Sequence, residues 1–162
     1  MNRTIIFFAA LLVPVLAFGA ASENITAKSA WTRATGAGIK NGAAYLTLKN
    51  STNRDDFLIA ASSDAARKVE IHESKLNDLG VYTMNKINRL PIAIGEEVSF
   101  APGGLHLMLV GLKEPLQVGN EIAVRLEFAE SQPINVRVSI ESANHQVSPD
   151  EKMMDHSHHG HH

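Results

Sequence analysis

The chain has 162 residues, of which 44% are hydrophobic and 20% charged, enough apolar side chain for one core and too much for a disordered chain. Its 15 lysines and arginines against 17 aspartates and glutamates leave a net charge of −2, so no basic field exists to hold a nucleic-acid backbone. Cysteine is absent, which excludes disulfide frameworks, thiol redox motifs, cysteine zinc sites, iron–sulfur clusters, the Cys-ligated blue-copper centre and a lipid-bearing cleavage cysteine.

Residues 1–21 read as a secretory signal: Arg3, an apolar run over 5–18, then Gly19 and Ala21 at the small-residue positions before the cut, with Ala17 and Gly19 as a second choice. Pro14 inside the run, and a length at the short edge of the roughly 20 residues of a membrane span, favour cleavage over anchoring. No stable membrane insertion is then expected after cleavage. The folded domain is expected over 22–141. From Ile25 onward the apolar residues recur with period two. Strands are predicted around 45–48, 57–59, 69–72, 81–87, 98–100, 105–110, 122–128 and 134–140. They are separated by turn clusters such as Asn50-Ser51-Thr52-Asn53, Asn77-Asp78-Leu79-Gly80 and Pro102-Gly103-Gly104. Only 64–68 suggests a single helical turn. About eight short strands without an amphipathic helix predict an all-β fold, a β-sandwich or Greek-key barrel. Residues 142–162 are polar and rich in His and Met, cannot bury a face, and are expected to form a flexible tail.

The placing of methionine and histidine is the informative feature. Six of the eight histidines lie from His145 onward, as do Met153 and Met154. The folded part keeps His72, Met84, His106 and Met108. In 105–110 the leucines at 105, 107 and 109 claim the core, so His106 and Met108 share the other face. Val69 and Ile71 likewise turn His72 outward beside Glu70. A hairpin turning at Asp78 would set His72 directly opposite Met84, with Cβ atoms about 4.5–5.5 Å apart. Each of these residues alone is more simply an exposed or packing side chain. Two imidazoles and two thioethers together form a soft, neutral ligand set suited to Cu(I) rather than to Mg, Ca or zinc.

The spacing His72-x11-Met84-x21-His106-x-Met108 resembles the signature of the PCu(A)C periplasmic copper chaperones. Ala30-Trp31-Thr32-Arg33-Ala34, Ala44-Tyr45-Leu46, Val69-Glu70-Ile71-His72-Glu73, Pro102-Gly103-Gly104-Leu105-His106-Leu107-Met108-Leu109 and Gly111-Leu112-Lys113-Glu114-Pro115-Leu116 are similar to the family as well. The likeness spans roughly residues 25–140. Some members carry Met directly after the first ligand histidine, where Glu73 stands here. The resemblance implies a cupredoxin-like β-sandwich or barrel binding one Cu(I) through His72, Met84, His106 and Met108. It also implies a place in the bacterial periplasm and delivery of copper for the binuclear copper centre of cytochrome c oxidase, to oxidase subunit II or another copper assembly factor. A monomer is expected. The alternative is a periplasmic copper buffer or resistance protein, with the same ligands and no dedicated acceptor.

In the tail, Met153, Met154, His156, His158, His159, His161 and His162 form a second candidate copper site, for Cu(II) through imidazole or Cu(I) through mixed donors. An ordinary imidazole titrates near pH 6.5, so Cu(II) capture there should fade below about pH 6. Its interrupted pattern fits a biased native tail better than a purification tag. No catalytic residue is expected, and no enzyme. A third histidine is missing from the core set, and cleavage after Ala21 exposes Ser22 rather than a chelating histidine. Without cysteine, an electron-transfer cupredoxin is disfavoured.

Overall fold

In β9 (Glu121–Phe128), Val124, Leu126 and Phe128 are buried and alternate with Arg125 and Glu127; in β10 (Ile134–Glu141), Val136, Val138 and Ile140 do the same. This period-two burial runs through ten strands in a computed structural model that describes residues 24–77 and 79–145. The other strands are β1 (Ile25–Arg33), β2 (Asn41–Asn50), β3 (Asp56–Ser62), β4 (Ala66–Leu76), β5 (Tyr82–Ile87), β6 (Leu90–Ile92), β7 (Glu97–Phe100) and β8 (Leu105–Leu112). Their order is β5-β4-β8-β2-β1-β10-β9-β3-β6, with β7 beside β2 and a further contact between β4 and β3 at Val69 and Ala61. That last pairing closes a barrel from β4 through β8, β2, β1, β10, β9 and β3, and closure removes the edges of the ring. The all-β expectation holds. β5 is left outside as a free edge on β4.

Leu46, Leu48, Leu58, Leu107, Leu109, Leu126, Val124 and Val138 fill the barrel and are shut off from solvent. The count of strands is higher than the sequence pattern suggests. β6 is a Leu-Pro-Ile segment, and Pro normally argues against a strand. It survives here because it pairs with β3 alone, with Pro91 opposite Phe57. The helical turn expected over 64–68 is instead a tight turn at 64–65, where Ser63 Oγ accepts the Ala65 amide, and Ala66 already begins β4.

One irregularity shapes the outer surface. Lys28 pairs with Thr47 but Trp31 pairs with Tyr45, so β1 carries one extra residue against β2. Ser29 takes it up in the left-handed region at φ 52°, a conformation that costs a non-glycine residue on the order of 1 kcal/mol. Before this bulge Ile25 and Ala27 face inward with Asn50 and Leu48. After it Thr32 is the inward residue, its hydroxyl donating to the Ala43 carbonyl at 2.8 Å. Trp31 is thereby turned onto the outer face with Tyr45, the two rings 4.6 Å apart.

Candidate metal centre

His72 lies on β4 directly opposite His106 on β8, and their rings meet edge to face with centroids 5.8 Å apart. Val69 and Ile71 of β4 and Leu107 and Leu109 of β8 point into the barrel, so the histidines that alternate with them share its outer face. The expectation of two outward residues is met in direction but not in exposure, since His106 is only 5% exposed. Met108, two residues along β8, is half-buried and stands opposite Glu70.

Each imidazole is held by one nitrogen and free at the other. His106 Nδ1 lies 3.0 Å from the Gly104 carbonyl, which can only accept, so Nδ1 carries the proton and Nε2 keeps its lone pair. His72 Nε2 lies 3.2 Å from a Glu70 carboxylate oxygen. Hydrogen bonds from Lys68 and Lys86, at 2.8 and 3.0 Å, hold that carboxyl down to about 2, so it too only accepts. The proton of His72 therefore sits on Nε2. Its Nδ1 is buried and has no hydrogen-bond partner. An orphaned lone pair in a protected position costs about 1–3 kcal/mol unless something outside the chain meets it. A soft cation between the rings would do so, with Glu70 and Gly104 fixing tautomer and ring angle from behind.

Met84 is placed differently from the sequence expectation. The β4–β5 register sets Lys86 opposite His72 and Ser74 opposite Met84. The register of these pairs is not centred where the sequence expectation put it. Asn77 and Val81 close the hairpin through an amide-to-carbonyl bond of 2.9 Å, the Asn77 side-chain oxygen accepts the amides of Leu79 and Val81, and Gly80 sits at φ 73°. A three-residue loop ending in a left-handed glycine moves the symmetry point to residue 79. Because the shift is by two positions, Met84 keeps the face of His72 but becomes its diagonal neighbour, about 7–8 Å away between backbones. Met84 is 54% exposed on the free edge.

Glu70, Lys86 and Gly104 are the residues that sequence reasoning missed. The signal was present in spacing alone: Glu70 precedes His72 by two, and Gly104 precedes His106 by two. The tail residues Met153, Met154, His156, His158, His159, His161 and His162, and the signal segment, lie outside the described residues. No helix among the described residues is long and apolar enough to cross a membrane.

A family model described as "Putative lipoprotein LpqE-like" matches residues 25–140, the whole barrel. The chain belongs to this family, that of the PCu(A)C domains. A Leifsonia xyli subsp. xyli protein described as "Putative lipoprotein Lxx21020" is 32% identical over 123 residues, covering 75% of this chain and 72% of the relative. Among solved structures, the Cu(I) form of DR1885 from Deinococcus radiodurans is 28% identical with a TM-score of 0.54, covering 70% of this chain and 75% of that one. The copper-bound PCuAC domain of PmoF2 shares the fold at a TM-score of 0.62 and 24% identity, over 74% of this chain and 93% of that domain. This PCu(A)C sequence contains no cysteine.

Proposed function

We propose that this protein is a periplasmic copper chaperone that holds one Cu(I) between His72, His106, Met108 and Met84 and delivers it for the binuclear centre of cytochrome c oxidase. The observation that carries the reading is the pair of opposed imidazoles whose free lone pairs include a buried, unpartnered His72 Nδ1. Thioether and neutral imidazole donors favour Cu(I) over harder cations, and the relative solved in its Cu(I) form is similar over most of the barrel. Export from the cytoplasm agrees with the lipoprotein description of the relatives.

Tight binding and delivery conflict unless release is assisted. With a Kd of about 10⁻¹⁵ M and association near 10⁹ M⁻¹s⁻¹, spontaneous loss would take days. Copper therefore leaves by ligand exchange within a docked complex. Acceptor ligands enter from the edge where Met84 is exposed, because the opposite side of His72 is closed by β8.

The test is Cu(I) stoichiometry and affinity under reducing conditions, by competition with a chromophoric chelator, on the mature chain and on a form ending at Ile140. The expected result is one tightly held Cu(I) in both. Loss of all binding on truncation would move the site to the tail and overturn the assignment. Delivery is tested separately, by asking whether an apo acceptor strips copper faster than a free chelator of equal affinity. Equal rates would leave a copper store without a dedicated acceptor. In the same titration Glu70→Ala is expected to weaken Cu(I) binding by about tenfold, since it unfixes the His72 ring without removing a ligand. An unchanged affinity would show that Glu70 does not orient His72.

A further inference from the structure

The strand beside the metal centre is an open edge. Among the described residues β5 pairs with β4 alone, and Tyr82 through Lys86 are all exposed. Five of the nine exposed large hydrophobic side chains among the described residues lie on this one hairpin: Leu76, Leu79, Val81, Tyr82 and Met84. Edges are ordinarily guarded by proline, a bulge or an outward charge, because unpaired amides and carbonyls template pairing with another chain. β5 has no proline, and its register with β4 runs unbroken from Ile71 opposite Ile87 to Leu76 opposite Tyr82. Its one charge, Lys86, is drawn back onto Glu70 at 3.0 Å. The edge is unguarded.

Hydrogen-bond parity fixes which residues a neighbour would meet. Asn77 donates its amide to the Val81 carbonyl at 2.9 Å, toward β5, whereas Ser74 donates to the Gly104 carbonyl at 3.1 Å, on the other side of β4. Such pairs alternate along an antiparallel ladder, so Lys75 bonds Thr83 and Glu73 bonds Asn85. Tyr82, Met84 and Lys86 therefore turn their amides and carbonyls to the open edge. Two copies of β5 laid antiparallel use all of these groups when Met84 faces Met84 and Tyr82 faces Lys86, each facing pair exchanging both of its main-chain bonds. Any other register leaves part of the set unmet. The side chains agree with this one. Thr83 meets Asn85, two polar residues, and Tyr82 meets Lys86, an aromatic face against a cation. Glu70 is shared between Lys68 and Lys86, so the patch facing Tyr82 keeps a positive charge. No like charges are opposed.

We propose that β5 is a self-pairing edge: two copies of this protein join antiparallel through Tyr82, Met84 and Lys86, and each covers the Met84 side of the other's metal centre. The pairing itself involves no metal, while the covering rests on the copper reading above. The two Met84 side chains then stand opposite each other at the two-fold axis, their backbones about 5.5 Å apart. A contact of strand size lies at the small end of protein interfaces, so the expected Kd is on the order of 0.1 mM and dilute protein is single. The pair is the closed form of the carrier, because an acceptor entering at Met84 must first displace the second copy.

The test is sedimentation equilibrium of the metal-free mature chain between about 10 µM and about 1 mM, with Tyr82→Lys and Tyr82→Glu alongside. Tyr82 is exposed, so neither change disturbs the barrel. Both remove the same ring, and they differ in the charge set opposite Lys86. The expected result is reversible pairing of the parent, weakened at least about tenfold in Tyr82→Lys but within about threefold of the parent in Tyr82→Glu. A parent that stays single at about 1 mM overturns the pairing and leaves the edge to a strand of another protein. Equal weakening by both substitutions overturns this register. The covering is read from the rate at which one excess concentration of a chromophoric chelator strips bound Cu(I). Stripping is expected at least about threefold slower at about 1 mM protein than at about 10 µM, with no such difference in Tyr82→Lys. Equal rates in the parent overturn the covering. A mature chain that holds no Cu(I) overturns the copper reading and leaves the metal-free pairing standing.

Discussion

Met108→Ala is expected to lower Cu(I) affinity by about a hundredfold and Met84→Ala by about tenfold. A four-donor site worth about 10–16 kcal/mol assigns about 3 kcal/mol to each donor, or two decades of affinity. Met108 is expected to contribute this in full at the proposed site, because β8 already holds it half-buried beside His106. Met84 does not. Its side chain is more than half exposed on a free edge strand and sits diagonal to His72. Ordering it around the metal costs up to about 1.5–2 kcal/mol of side-chain entropy, which offsets more than half of its bond. Competition titration of the two single variants and the double variant checks this. Equal losses for the two methionines would mean that the hairpin is preset around the metal, and the argument from exposure would fail.

The second large effect concerns stability. Asp56, fully buried at the start of β3, accepts the amides of Phe57 at 2.7 Å and Glu130 at 3.0 Å on one oxygen, and of Ser131 at 2.8 Å on the other. It fixes the β9–β10 turn against β3. Burial pushes its carboxyl up, but the Ser131 side chain and the three amides together hold it below the ordinary value of 3.8. Asp56→Ala leaves the three amides and the Ser131 side chain without their acceptor and is expected to cost about 3–5 kcal/mol, and Asp56→Asn about half of that. Because the folded value is the lower one, the charge stabilises fully above about pH 4, and that contribution is lost as the pH falls through the folded value. Thermal or urea unfolding of the parent and Asp56→Asn from pH 7 to pH 2 should show the gap narrowing only below about pH 4. A constant gap would place the effect in shape rather than charge.

Much of the site was legible because strand alternation is a local property. Leu107 and Leu109 assign the face of His106 and Met108, and Val69 and Ile71 assign that of His72, before any tertiary contact is known. The opposition of His72 and His106 was not legible. It comes from the pairing of β4 with β8, two strands separated by three others in the chain, and no sequence periodicity encodes which strands meet. Burial of His106 follows from the same pairing.

The sequence alone determined an all-β chain, the outward set of two histidines and two methionines, and the exclusion of every cysteine-based site. It did so through residue chemistry and period-two patterning, both carried within a few residues. Only the tertiary structure decided the register of Met84, the face of Trp31, and the partners that fix each imidazole. The physical reason is that register and facing turn on single-residue events. A left-handed Gly80 moved the β4–β5 pairing by two positions, and one extra residue at Ser29 turned the only tryptophan from the core to the outer face.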